Sequence, residues 1–137
     1  MIRVLSLTEP YATLIKQGYK TIETRSWATK YRGRLYLHAS STRIPKEFKQ
    51  NRPLMELVDL DKLNFGYIIC SCELLDCIKM TDEFIAKIKQ NQTEYLCGIY
   101  ARDRYAWILG NIQVLKHPIA AKGHLGLWSL ELRESSK

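Results

Sequence analysis

Three residues that could bind a ligand lie close together early in the chain: Lys20, Glu23 and Arg25. Lysine and arginine neutralise phosphate groups, lysine as a point charge and arginine through a planar fork of donors. A carboxylate repels phosphate, but it accepts hydrogen bonds from the exocyclic amine of a base. The combination favours a ligand that carries both a phosphate and a base. Ordinary ion pairs between Glu23 and its two neighbours are the alternative interpretation.

The residues that follow add a hydroxyl group, aromatic rings and further cations. Trp27 and Tyr31 offer faces on which an unpaired base can stack, a contact worth about 1–3 kcal/mol per base in single-strand binders. The candidate ligand-binding residues are Lys20, Glu23, Arg25, Ser26, Trp27, Tyr31, Arg32 and His38, with Arg34 as a further phosphate contact. Their concentration in one segment favours a binding site over scattered structural roles.

The positive charge of the chain is concentrated in the same region. The 137 residues carry a net charge of +7, and residues 16–52 hold ten basic residues against Glu23 and Glu47, a net +8. The remainder therefore sums to −1. One basic surface that attracts phosphates would explain this excess, and a solvated basic face without a partner would explain it equally well.

The elements that must position these residues follow from the hydrophobic pattern. A strand is predicted over 3–7, then a helix that begins near Pro10, with Thr8 or Glu9 as its cap, and ends at Gly18. Residues 20–25 are predicted to be extended. Residues 34–39 alternate with a period of two, which predicts a half-buried strand with Arg34, Tyr36 and His38 on its open face.

The remainder of the chain is predicted to contain short helices and several strands. Helices are predicted over 45–50 and 54–60, and after Thr81. Strands are predicted over 66–80, 98–101, 105–109, 113–115 and 127–132, with a tight turn at Gly110-Asn111. Because regular strand–helix alternation is absent, this pattern predicts an α+β fold, a partly closed and mostly antiparallel β-barrel with short helices covering its ends.

Length and composition set the expected class of protein. A chain of 137 residues is expected to form a single domain over 1–137. No apolar run approaches the roughly 20 residues of a membrane span, so a cytoplasmic location without membrane partners is expected. The four cysteines are expected to be reduced and mostly buried, because no CxxC pair or nearby histidine completes a zinc site. No metal and no cofactor is therefore expected.

The order of these motifs resembles a known family. Gly18-x-Lys20-x-x-Glu23-x-Arg25, which follows the first predicted helix, is similar to the signature of the ASCH domain (activating signal cointegrator homology). Flanking segments match in order over nearly the whole chain: residues 10–15, Ser26-Trp27, residues 31–35, residues 66–77, residues 118–123 and residues 127–130. The match of several blocks is more specific than the short motif alone.

The resemblance implies a PUA-like β-barrel with a cleft between its first helix and the barrel. That cleft is proposed in the family to bind RNA, and in some relatives single- or double-stranded DNA. Lys20, Glu23 and Arg25 would line it, and Ser26, Trp27, Arg32 and His38 would lie near it. The leading hypothesis is therefore a binding module for RNA, single-stranded nucleic acid or a nucleotide-like small molecule.

Two other function classes remain open. A second branch of the family consists of amidohydrolases acting on acetylated cytidine, in which a lysine at the position of Lys20 works with a threonine and a later glutamate. Here Glu23 occupies the threonine position, Thr21 or Thr24 would have to replace it, and Glu73 is the candidate glutamate. A ribonuclease would use Lys20 and Glu23 as its catalytic acid and base. A module that recruits transcription or translation proteins is the third class.

Overall fold

The computed structural model describes residues 1–132 as a curled, six-stranded half-barrel with short helices at its ends. The strands are β1 (Ile2–Leu7), β2 (Ile22–Arg25), β3 (Gly33–Ala39), β4 (Tyr67–Lys79), β5 (Tyr105–Ala120) and β6 (Leu127–Leu130). The helices are α1 (Tyr11–Lys16), α2 (Lys46–Lys49), α3 (Arg52–Met55), α4 (Asp82–Ile88) and α5 (Gln92–Leu96), with a 3-10 turn at Leu60–Lys62. The predicted α+β class is confirmed. The expectation of one domain over 1–137 stays a prediction.

The strands are ordered β2-β5-β4-β3-β1-β6 in the sheet. The pair β1 and β3 is parallel, and every other neighbouring pair is antiparallel, as the predicted fold class requires. The main core lies between the inner face of the sheet and α1, where Leu5, Leu37 and Trp107 have no exposed surface. A second cluster, around Leu14 and Phe48, joins α1 to the helices that follow β3.

The predicted turn at Gly110-Asn111 is wrong, because β5 runs through it as one long strand. Ser71 pairs with Gln113 and Glu73 with Gly110, so two residues of β5 stand opposite one residue of β4. This is the arrangement of a β-bulge. Asn111 adopts a φ of 50° there, which asparagine tolerates better than most residues. In this chain, Gly110-Asn111 therefore lies at a β-bulge and not in a turn between two strands.

The predicted strand over 98–101 is also wrong. These residues form a loop between α5 and β5, and side chains satisfy its backbone groups in place of a strand partner. The amide of Ile99 donates to Thr24 Oγ1 at 3.1 Å, and Arg104 Nε donates to the carbonyl oxygen of Ile99 at 3.1 Å. The loop is therefore fixed against β2, where it forms one wall of the site described below.

The four cysteines are free, and Cys70, Cys72 and Cys97 are buried. Burial raises the pKa of the Cys70 and Cys72 thiols to about 12 and that of Cys97 to about 11. Cys77 is half-buried. The expectation of mostly buried thiols is confirmed, and the expectation that they are reduced stays a prediction. Across the described residues, no helix is both long and apolar enough to cross a membrane.

Candidate functional site

The corner between α1 and β2 turns Lys20 into the protein. Gly18 adopts a φ of 88°, a conformation that closes helices and that glycine reaches without steric cost. The amides of Tyr19 and Lys20 both donate to the carbonyl oxygen of Leu14. The chain therefore reverses tightly enough to place the Lys20 side chain beneath the first residues of β2.

A buried carboxylate on α5 fixes the start of β2. Glu94 accepts hydrogen bonds from the amides of Thr21 and Ile22, at 2.9 and 3.2 Å, and from the hydroxyl of Thr21. The side chain of Glu94 is only 4% exposed. Because three donors satisfy it, Glu94 needs no cation. The role of Glu94 was not predicted from the sequence, because Glu94 lies more than seventy residues from its partners.

Lys20, Glu23 and Arg25 form a chain of ion pairs. Lys20 Nζ lies 3.4 Å from Glu23 Oε1, and Arg25 Nε donates to Glu23 Oε2 at 2.8 Å. Glu23 and Arg25 are two residues apart on β2, so both side chains project from the same face of the strand. The ion pairs that were the alternative interpretation of these residues are therefore present, and the three side chains meet at one place.

Lys20 is the most enclosed member of the group, with 1% of its surface exposed. Its ammonium donates to the carbonyl oxygen of Cys97 at 2.5 Å and lies 5.8 Å from the centre of the Tyr11 ring. Burial raises the pKa of the Tyr11 hydroxyl. The carbonyl oxygen, the ring and Glu23 together replace the water that a buried ammonium loses.

The three charged side chains lie beside a cleft of about 1330 Å³. The predicted site residues that line it are Lys20, Glu23, Arg25, Ser26, Trp27 and His38. Two further cations of the lining, Arg104 and Lys122, were not predicted, because they are distant in sequence from the motif. Together with Lys20 and Arg25 they give four cations, against the carboxylates of Glu23 and Glu47. The cleft therefore has a positive balance of charge.

Tyr31 and Arg32 lie outside the lining of the cleft. Tyr31 donates its hydroxyl to the carbonyl oxygen of Arg34, and the guanidinium of Arg3 covers its ring at 5.2 Å. Arg32 donates to the carbonyl oxygens of Thr29 and Tyr31. These two residues support the loop between β2 and β3, which carries Trp27 at its start.

His38 is buried and not on the open face that strand alternation predicts. Its ring is 1% exposed, and the β3–β4 register shifts between Leu37 and His38. His38 Nε2 lies 2.7 Å from the carbonyl oxygen of Ala121, and Nδ1 lies 3.0 Å from Ser6 Oγ. Because a carbonyl oxygen only accepts, Nε2 carries the proton and Nδ1 accepts from Ser6. His38 thus attaches the segment 121–126, which forms one edge of the cleft, to the sheet.

Of the residues proposed for the hydrolase alternative, Lys20 and Thr24 line the cleft, whereas Thr21 and Glu73 do not. Glu73 pairs with Arg34 at 3.5 Å and does not line the cleft. Thr21 donates its hydroxyl to Glu94, whereas Thr24 lines the cleft and accepts from Ile99. Within residues 1–132, no three side chains of histidine, cysteine, aspartate or glutamate are grouped so that they could hold a metal ion.

Known proteins resemble this chain in both sequence and structure. A family model described as the ASCH domain matches residues 5–119. Activating signal cointegrator 1 of Mus musculus is 32% identical over 130 residues, and that of Homo sapiens is 29% identical over 138 residues. Each alignment covers 93% of this chain but only 22% of the relative, so this chain spans about a fifth of those proteins.

Solved structures share the fold at low sequence identity. The crystal structure of ASCH from Zymomonas mobilis aligns with a TM-score of 0.57 and 17% identity, over 97% of this chain and 88% of that one. A tyrosine-to-phenylalanine mutant of the same Zymomonas mobilis protein aligns with a TM-score of 0.56 and 16% identity, over 98% of this chain and 93% of that one. With the family model matched over most of its length, the chain belongs to the ASCH domain family.

Proposed function

We propose that this chain is a nucleic-acid-binding module whose cleft receives single-stranded RNA. The observation that carries the proposal is the chain of ion pairs from Lys20 through Glu23 to Arg25, set beside a cleft of about 1330 Å³. A cleft of this size exceeds the roughly 300–1,000 Å³ of typical small-molecule pockets. Its charge balance suits a polyanion.

The cations of the cleft have different roles in this proposal. Lys20 is enclosed, so it supplies a fixed positive charge at depth and does not reach out to a phosphate. Arg25, whose side chain is 22% exposed, and the exposed Lys122 are the phosphate contacts. Arg104 Nη2 donates to the carbonyl oxygen of Thr24 at 3.2 Å and Nε donates to that of Ile99, so Arg104 holds the 98–101 wall against β2.

Glu23 and Trp27 would recognise a base. Both oxygens of Glu23 already interact with a cation, which fixes the orientation of the carboxylate, and each oxygen retains a lone pair for an exocyclic amine. Trp27 is half-buried and packs against Trp107 in a T-shaped arrangement with centroids 4.8 Å apart. That contact holds the Trp27 ring beside the cleft, where its remaining surface can meet a base.

Salt dependence of RNA binding tests this proposal. Fluorescence anisotropy with a labelled single-stranded hexanucleotide should give an affinity that falls steeply as salt rises, because bound phosphates release counterions. Lys122→Gln should weaken binding and lower the slope of log affinity against log salt by about 0.7, the contribution of one contact to a single strand.

The matched control is Lys116→Gln, which changes an exposed lysine of β5 outside the cleft. It should leave the slope unchanged. Absence of binding to RNA and single-stranded DNA at low salt would refute the proposal. Turnover of acetylated cytidine or of RNA that Lys20→Ala abolishes would replace it with an enzymatic function.

A further inference from the structure

A second, smaller pocket adjoins the cleft. It has a volume of about 470 Å³, and its lining consists of Ser41, Thr42, Arg43, Ile44, Lys49 and Phe65. Ser41 and Thr42 also line the main cleft. The two hollows are therefore neighbours on one surface, separated by the residues that follow β3. A ligand that fills the cleft can continue past these two hydroxyl residues without leaving the protein.

The charge of this second pocket is positive and uncompensated. Arg43 and Lys49 line it, no acidic side chain does, and neither cation forms an ion pair with a carboxylate of the described residues. Other cations of the basic segment differ, because Arg32 pairs with Asp76 and Arg34 with Glu73. Arg43 and Lys49 are thus available to an anion from solution.

An exposed aromatic ring completes the pocket. Phe65 is 39% exposed, although phenylalanine is usually buried. The backbone next to Phe65 is fixed by Gly66, which adopts a φ of 86° and whose amide donates to the carbonyl oxygen of Ala39 at 2.7 Å. The Phe65 ring is therefore presented at a defined place. Cations beside an open aromatic face are the combination that single-strand-binding surfaces use.

We infer that this pocket is a second nucleotide subsite, in which a base stacks on Phe65 and its phosphate lies between Arg43 and Lys49. The inference rests on the proposed function and deepens it. The proposed ligand is then a single strand that is long enough to occupy the cleft and the adjoining pocket together. A free nucleoside or mononucleotide would leave the second pocket empty.

A length series of RNA ligands tests the subsite. Affinities of mono-, di-, tetra- and hexanucleotides are measured by competition against a labelled hexanucleotide. Affinity should rise until the ligand spans both hollows. Phe65→Ala should weaken the hexanucleotide about tenfold and leave the mononucleotide unchanged, while Phe65→Trp should retain tight binding because it keeps a stacking face.

The cationic part of the subsite has its own variant and control. Arg43→Gln combined with Lys49→Gln should lower the salt slope for the hexanucleotide by about 0.7, which corresponds to the one phosphate held between the two cations. Lys87→Gln combined with Lys116→Gln removes two lysines that line neither hollow, and it should change nothing. The same series with single-stranded DNA shows whether the sugar matters, and far-UV circular dichroism verifies that each variant is folded.

The outcomes separate this inference from the proposed function. If mononucleotides bind as tightly as hexanucleotides and the Phe65 and Arg43/Lys49 variants have no effect, the subsite is refuted while binding in the cleft stands. If the Phe65→Ala variant loses affinity equally for every length, Phe65 acts on the fold or the cleft, and the subsite is again refuted. If no oligonucleotide of any length binds, the cleft proposal fails and the subsite fails with it.

Discussion

Within the charged motif, Lys20 is the most buried side chain and Arg25 the most exposed. Lys20, Glu23 and Arg25 are close in sequence, and their spacing on a strand predicts that Glu23 and Arg25 share a face. The enclosure of Lys20 depends on the carbonyl oxygen of Cys97 and the ring of Tyr11. For His38, strand alternation predicts the open face, but contacts with distant segments bury the side chain.

The buried ion pairs predict an asymmetric response to substitution. Glu23→Ala leaves the enclosed Lys20 ammonium without a carboxylate, so the free energy of unfolding should fall by about 3–5 kcal/mol. Lys20→Met should cost less, about 1–3 kcal/mol, because Glu23 keeps Arg25 and the methionine fills much of the space of the lysine, while the carbonyl oxygen of Cys97 loses its donor. Urea denaturation followed by circular dichroism measures both values.

The control for this pair is Lys62→Met, which removes an exposed contact with Asp59 at 4.0 Å. Exposed pairs contribute about 1 kcal/mol or less, so this variant should be close to wild type. Equal costs for Glu23→Ala and Lys20→Met would contradict the account of the buried pair given above.

At the scale of elements, the sequence predicted those with a strong local pattern. The strands β1 and β3 and the helix α1 follow from periodicity and from a helix-closing glycine. The bulge of β5 and the loop at 98–101 could not be predicted in this way, because each depends on a partner elsewhere in the chain. Asn111 is accommodated opposite β4, and Ile99 is held by Thr24 and Arg104. The sequence of one segment does not show which distant residues it will contact.

The connection between α5 and β2 gives a prediction at this scale. Glu94→Gln removes the negative charge from the acceptor of the Thr21 and Ile22 amides and replaces one of its two oxygens with an NH2 donor. The free energy of unfolding should fall by about 1.5–3 kcal/mol, the range for hydrogen bonds to charged groups. Hydrogen exchange of the Thr21 and Ile22 amides should accelerate.

Glu83→Gln is the matched control, because Glu83 lies on α4, is exposed and lines neither hollow. Its effect on stability and on exchange in β2 should be negligible. If Glu94→Gln also leaves exchange at Thr21 and Ile22 unchanged, α5 does not fix the start of β2.

At the scale of the whole molecule, six of the ten basic residues in the segment 16–52 are found in three places. Lys20 and Arg25 lie at the cleft, Arg43 and Lys49 line the second pocket, and Arg32 and Arg34 pair with carboxylates of β4. The single basic surface expected from charge alone is therefore incomplete without Arg104 and Lys122, which arrive from the far end of the chain. Curling of the sheet is what brings the two ends together.

The buried thiols predict how global stability depends on alkaline pH. In the folded state the pKa values of Cys70 and Cys72 are raised from 9.0 to about 12, so the folded protein retains protons that the unfolded chain releases. Their contribution to stability is therefore complete below pH 9 and is lost as the pH rises from 9 towards 12. Each thiol should add about 1.4 kcal/mol per pH unit to the decline in that window.

Urea denaturation at a series of alkaline pH values measures this slope. A Cys70→Ala, Cys72→Ala double variant has lower stability at neutral pH because it loses packing, but its decline with pH should be shallower than that of wild type. Parallel curves for the two proteins would show that these thiols do not contribute to alkaline unfolding.

The sequence by itself determined the α+β class, the family resemblance and the three charged residues of the motif, because periodicity and short motifs are local properties of a chain. Tertiary structure alone decided that Lys20 is enclosed, that Tyr31 and Arg32 lie outside the cleft, and that a second pocket adjoins it. These features depend on contacts between residues as distant in sequence as Lys20 and Cys97. Such residues come into contact only when the sheet has formed and curled around its core.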